Sequence, residues 1–198
     1  VSYMKGHAQL RRYYVLVLLF IGAMAGLVLT GSLLLLFIFW EITALCSYAL
    51  IAFDNDNPAA VHGGIKALII TQLGGIGLLL LALVAQAQLG SYDLAHFIAW
   101  SPTLPTAVLA LLAFSTLAAA AAKSAQVPFY TWLPDAMEAP TPVSALIHAA
   151  TMVNAGVYLL ARLYPAFAEV AGWRTAVVIV GLLSVLLTGI MALTTYDL

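Results

Sequence analysis

The sequence predicts an all-α fold, a polytopic transmembrane helix bundle of about six membrane segments with one helix discontinuous near residues 124–130. Three observations lead there. Hydrophobic residues make up 64% of the chain and charged residues 8%, whereas soluble domains carry about 25% charged residues. The apolar residues fall in runs of the length that crosses a hydrocarbon core as a helix, about 20 residues. The few charges inside those runs stand beside helix-breaking residues. Such a chain is an integral membrane protein that crosses the bilayer several times. The formal net charge of −1 gives no basis for nucleic-acid binding.

From Tyr13 to Phe53 only Glu41 carries charge at neutral pH, over a stretch twice the length of one span. Two helices are therefore expected, with the turn at Thr30-Gly31-Ser32, where turn-formers cluster. Asp54-Asn55-Asp56-Asn57-Pro58 makes a polar loop before a third span, roughly Gly64 to Ala87. Leu89 to Pro105 is mixed and turn-rich, expected at the interface with Trp100 as an anchor. A fourth span covers about Thr106 to Ala125 and breaks at Val127-Pro128, because proline lacks the N–H and clashes with the preceding turn. A short amphipathic stretch from Phe129 to Met137 and a turn at Glu138 to Pro142 follow. A fifth span is expected from Val143 to about Leu163 and a sixth from Ala171 to Leu193.

Lys5, Arg11 and Arg12 precede the first span, and residues 89–105 hold no lysine or arginine. The positive-inside rule places the N-terminal flank in the cytoplasm and the 89–105 loop outside. Arg162 and Arg174 flank a later loop; if Phe129 to Met137 completes a crossing, that loop is external and runs weakly against the rule. Val-Ser-Tyr-Met at the start has no cleavage pattern of a signal peptide. The end at Tyr196-Asp197-Leu198, straight after an apolar run, reads as an internal piece of a longer membrane protein. The whole of 1–198 is expected to form one transmembrane domain.

Lys123 is the most telling residue. It follows the alanines Ala118 to Ala122, beside the break, and a lysine at bilayer depth costs about 2.5–3.5 kcal/mol on insertion scales. Membranes tolerate that cost where the charge is paired or lines a hydrated path. Glu41 is the candidate partner of opposite sign, and a buried Glu–Lys pair whose separation changes is a proton-loading switch. Lys66 lies near a polar loop, so it serves as a further charge on the path or snorkels to the interface. Thr141, Ser144, His148 and Thr151 share a helical face, continued by Asn154 and Tyr158. A polar stripe with a titratable centre fits a proton wire. The break should bring the Lys123 end close to that stripe, with Lys123 facing the helix that carries His148.

His62 and His96 are expected in solvated loops. Gly74-Gly75-Ile76-Gly77, inside a span, allows close helix contact rather than nucleotide binding. Asp135 has equal claims to a structural and a functional role. No spacing of His or carboxylates resembles a metal site. The single Cys46 excludes an internal disulfide and a Cys-rich cluster. No cofactor is expected on this chain.

These residues also carry a resemblance. Lys123-Ser-Ala-Gln126 with Pro128, Trp132-Leu-Pro-Asp-Ala-Met137 with Asp135, Pro140-Thr-Pro142-Val-Ser-Ala145, and His148-Ala-Ala-Thr-Met-Val153 with Ala155-Gly156-Val-Tyr158 resemble the antiporter-like core of the complex I and Mrp antiporter superfamily. Phe39-Trp40-Glu41 and Lys66-Ala67 fall where that family keeps its membrane glutamate and another lysine. The resemblance implies a bundle with discontinuous helices and a central chain of charges at mid-membrane. It implies that Glu41 and Lys123 form the coupling pair, that Lys66 lies near it, and that His148 and Asn154 continue the path. Pro128, Trp132, Asp135, Pro140 and Pro142 frame the broken helix. The resemblance also implies a second, symmetry-related bundle, expected to lie outside residues 1–198.

Met137-Glu138-Ala139-Pro140 and Thr71-Gln72-Leu-Gly-Gly75 look more like the A-type subunit of Mrp cation/proton antiporters. The alternative is the distal proton-pumping subunit of NADH-quinone oxidoreductase or of a related membrane-bound hydrogenase, where an aspartate is expected near Gly75. Tyr130 and Asn154 depart from the Mrp pattern, which often has histidine and lysine there. Implied partners are other membrane subunits of a hetero-oligomeric complex, the lipid bilayer, protons and, in the Mrp reading, Na+.

Overall fold

The structure, a computed structural model, describes Met4 and residues 9–194. The expectations attached to Lys5 and to Tyr196-Asp197-Leu198 fall outside the described residues. Among the described residues, six spans are long and apolar enough to cross a membrane. They are α1 (Leu10–Leu29), α2 (Leu33–Ile51), α3 (Pro58–Leu89), α5 (Thr106–Lys123), the interrupted stretch Thr141–Phe167 and α9 (Trp173–Thr194); the short α4 (Leu94–Trp100) lies between α3 and α5. The expected all-α membrane bundle is what is observed.

The helix starts follow local chemistry. Ser32 accepts from the Leu35 N–H at the start of α2. Asn57 caps α3 through the Ala59 N–H at 3.0 Å, with Pro58 in the first turn. A short polar side chain satisfies an orphan N–H there, and proline forfeits no bond at that position. α3 therefore begins six residues before the expected Gly64 and includes His62, which sits exposed on a helix rather than in a loop. Gly90 ends α3 at φ 64°, in the left-handed region that glycine enters without penalty. Asp93 caps α4 through the His96 N–H at 2.6 Å, so His96 too is helical and exposed.

α3 is the hub: α2 packs on one side of it and α5 on the other, with α1 on α2 and α5 against the later α8 (Asn154–Phe167). The glycines make this possible. A Cβ on Gly74 would collide with Ala122, one on Gly77 with the Ser115 carbonyl, and one on Gly75 with Glu41. The glycine run is a helix-packing device, as expected, and it sets the floor on which α5 lies.

The ends of the bundle sort into two sides. On one, Arg12 lies 5.4 Å from the Phe53 ring and Asn57 donates to Glu138 at 3.4 Å. On the other, the α1–α2 turn is zipped to residues 92–94, with Leu33 N–H donating to the Tyr92 carbonyl and Leu94 N–H to the Gly31 carbonyl, both at 2.8 Å. Tyr158 donates to the Val28 carbonyl at 2.6 Å on that same side, and Phe167 packs on Phe97. Residues 124–138 thus complete the crossing that α5 begins. The loop 168–172 shares a side with 89–105, so Arg162 and Arg174 run against the positive-inside bias. Arg162 is spent on the Val28 carbonyl and Tyr158, and Arg174 on the Ala168 carbonyl and Glu169.

The discontinuous helix expected near residues 124–130 is observed, and the described residues hold a second interruption besides. The first break follows α5 and passes through α6 (Trp132–Asp135) and a 3-10 turn. The second interrupts the expected fifth span, where α7 (Thr141–Ser144) runs into a π-helical stretch, Ala145–Ala150. Thr151 leaves helical geometry, and the chain resumes as α8. The broader π turn also undoes the spacing that put Thr141, Ser144, His148 and Thr151 on one face.

Candidate functional site

The two breaks meet. At the end of α5, Ala125 takes φ 50°, a costly conformation for a residue with a Cβ. This left-handed turn lets the Gln126 N–H return to the Ala121 carbonyl at 2.8 Å. The Trp132 indole donates to the Ala122 carbonyl at 2.9 Å, so helix acceptors freed by the break are satisfied inside the protein. Ser184 of α9 accepts from the Val127 N–H at 2.9 Å. Ser124 reaches the second break and donates to the Val153 carbonyl at 2.6 Å. Gly156, at the start of α8, lies against Ser124 and the Ala120 carbonyl, where any Cβ would collide.

Lys123 sits at this junction with no exposed surface. Its ammonium donates to the Trp40 carbonyl and to the Thr43 hydroxyl, both at 2.8 Å, and lies 4.9 Å from the centre of the Trp40 ring. All three groups are on α2. The expectation that Lys123 faces the helix carrying His148 is therefore not met, although it lies inside the bundle beside that break. Glu41, next to Trp40 on α2, forms no ion pair with the ammonium. The Glu41 Oε1 atom is enclosed against Gly75 and has no hydrogen-bond partner. Coulomb energy in such an interior varies steeply with distance, so small movements of either group change the cost of the lysine charge.

Buried polar atoms are ordinarily paired. Among the described residues, the enclosed side-chain atoms without a partner are Trp40 Nε1, Glu41 Oε1, Thr116 Oγ1 and both ring nitrogens of His148. Thr116 lies on α5 seven residues before Lys123, hence on the same face. The His148 ring packs 6.0 Å from Trp132, so Trp132 touches both the α5 break and the histidine. Asn154 lies exposed at the second break, its amide 3.4 Å from the Ala149 carbonyl.

Lys66 is set apart from this cluster. It pairs with Asp135 at 2.7 Å, with His62 at 4.0 Å from the same carboxylate, near the end of the bundle that carries Asn57 and Glu138. The Asp135 backbone carbonyl abuts Gly63, which fixes the distance between α3 and α6. Of the prolines framing the breaks, Pro128 is exposed and follows the first, while Pro140 and Pro142 open α7. Thr43 was missed by sequence reasoning. Its only signal is its place one helical turn from Trp40, on a face buried among large apolar residues.

The sequence matches the NADH:quinone oxidoreductase/Mrp antiporter transmembrane family over residues 30–198. The chain belongs to that family. Among curated relatives, the A1 subunit of the Na(+)/H(+) antiporter of Staphylococcus saprophyticus is 42% identical over 201 residues, covering 100% of this chain and 25% of the relative. The Staphylococcus aureus protein of the same name is 43% identical over 204 residues, with the same coverages. The chain therefore spans about a quarter of the length of these relatives. A structure of the Mrp complex from a Dietzia species superposes with a TM-score of 0.78 at 41% identity, over 82% of this chain and 18% of that one. The fold of that family is thus the frame in which Lys123 and Glu41 stand.

Proposed function

We propose that this chain is the proton-translocating core of the A-type subunit of an Mrp Na+/H+ antiporter. It would work with other membrane subunits in the cytoplasmic membrane of a bacterium, with residues 1–198 as one transmembrane domain. One observation carries the reading: a lysine with no exposed surface stands where two broken helices meet, held by neutral groups, with an unpartnered glutamate oxygen nearby. A buried charge without an ion pair costs several kcal/mol, a cost that membrane proteins retain where the charge does work.

The mechanism follows from that cost. An ammonium beside Glu41 is stabilised by the carboxylate; one moved away from it gives up its proton more readily. A change in their separation therefore loads or unloads Lys123. His148, enclosed at the second break beside Trp132, is the next group able to take a proton along the line. Lys66, paired with Asp135 near the end of the bundle that carries Arg12, would serve the path as a fixed charge rather than a titrating one, with Asn154 at the second break. The relatives are Na(+)/H(+) antiporter subunits, and Na+ is accordingly the cation exchanged for the proton in this proposal.

Membrane vesicles holding the assembled antiporter test this. Lys123→Ala is expected to abolish the Na+-driven pH change while the complex still assembles, because deleting the lysine also removes its burial cost. Undiminished pH-gradient activity in the assembled variant would overturn the assignment.

A further inference from the structure

We infer that Thr43 is a positioning residue for Lys123: its hydroxyl, together with the Trp40 carbonyl, forms a dock that holds the ammonium apart from Glu41. This rests on the proton-switch reading above and adds the second of the two positions such a switch requires.

The geometry is specific. Thr43 is fully buried, and its hydroxyl donates to the Trp40 carbonyl at 2.7 Å. With its proton committed there, the Thr43 oxygen presents a lone pair to Lys123, which donates to it at 2.8 Å. The same Trp40 carbonyl accepts the lysine at 2.8 Å, and the indole face lies 4.9 Å from the ammonium. Every member of the dock is neutral, so it solvates the charge without cancelling it.

Glu41 is two residues before Thr43, about 200° away around α2 at 3.6 residues per turn. Its carboxylate lies against Gly75 of α3. An ammonium seated on Trp40 and Thr43 is therefore on a different face of α2 from the glutamate. The dock and the carboxylate are alternative partners, and the strength of the dock sets how Lys123 divides its time between them. A helix carbonyl is present whatever the side chain, but the Thr43 hydroxyl is a choice of sequence.

Thr43→Val keeps the branched shape and removes the acceptor. Assayed in the assembled antiporter, it is expected to lower maximal turnover by roughly tenfold or more, the effect of losing a hydrogen bond to a charged group. The half-saturating Na+ concentration should stay unchanged, because the cation does not touch Thr43 in this scheme. Thr43→Ser, which restores the hydroxyl, should recover most of the turnover. Thr43→Cys, close to serine in shape but a weak acceptor, should behave like valine and carries the test if the valine variant does not assemble.

Wild-type turnover in the valine or cysteine variant, or failure of serine to recover activity, overturns the role of Thr43. Lys123→Ala run in parallel separates the two levels. If it is inactive while Thr43→Val is normal, only the dock is wrong. If Lys123→Ala is active, the switch itself is wrong.

Discussion

The two membrane lysines of this protein are solvated in opposite ways. Lys66 is about one-third exposed and holds the Asp135 carboxylate at 2.7 Å. Lys123 has no exposed surface and holds only a carbonyl and a hydroxyl, with a glutamate nearby but outside ion-pair contact. The first arrangement fixes a charge, since a paired lysine near the bundle end gains from the carboxylate and loses little hydration. The second makes the charge conditional, because nothing of opposite sign cancels it in place. Position in the fold decides this. Lys66 sits two turns into a continuous helix, whereas Lys123 is the last residue of a helix that stops inside the bundle.

That contrast can be broken from either end. The largest effect after loss of Lys123 itself is expected at Glu41. Glu41→Gln should bring transport close to the Lys123→Ala level, because an amide cannot modulate the lysine charge, while Glu41→Asp should retain part of it, the charge being displaced by about one methylene. Na+-driven pH changes in vesicles check this; equal activities of the two variants would make charge at position 41 irrelevant. At the other lysine the effect should be smaller. Lys66→Ala is expected to slow turnover by no more than about fivefold, since a partly exposed pair is worth up to about 1 kcal/mol. The double exchange Lys66→Asp with Asp135→Lys should regain activity in the same assay if the pair only fixes the fold. Failure of the exchange to recover what the single variant loses would give the Lys66 charge a role of its own on the path.

The sequence displays the continuous spans well, because apolar runs with polar loops between them translate directly into helix length. α2 and α5 begin and end within a few residues of expectation, and α3 starts early only because Asn57 and Pro58 act as a cap and first turn. The first break was legible from Val127-Pro128. The second was not: residues 145–153 contain no proline or glycine, and the π turn over Ala145–Ala150 has no strong local signature. Thr151 and Asn154, which compete for backbone bonds, are the faint signal that marks it. The site shows the same division. Glu41, Lys123 and His148 stood out as polar residues in apolar runs, and the structure encloses Lys123 and the His148 ring nitrogens at the two breaks, with Glu41 against α3. The partners of Lys123 did not stand out, because one is a backbone carbonyl and the other a threonine 80 residues away. Asp135 as the partner of Lys66, 69 residues distant, was equally invisible in one dimension.

The claim that Lys123 must release its proton, rather than supply a fixed charge, is tested most directly by arginine. Arginine keeps the positive charge and the donors but does not deprotonate in proteins. Turnover of Lys123→Arg and Lys66→Arg should be measured side by side in vesicles with matched assembly. Lys123→Arg is expected to be as inactive as Lys123→Ala, while Lys66→Arg transports at close to the wild-type rate. Substantial transport by Lys123→Arg would contradict that claim, since a permanent cation at the junction would then suffice.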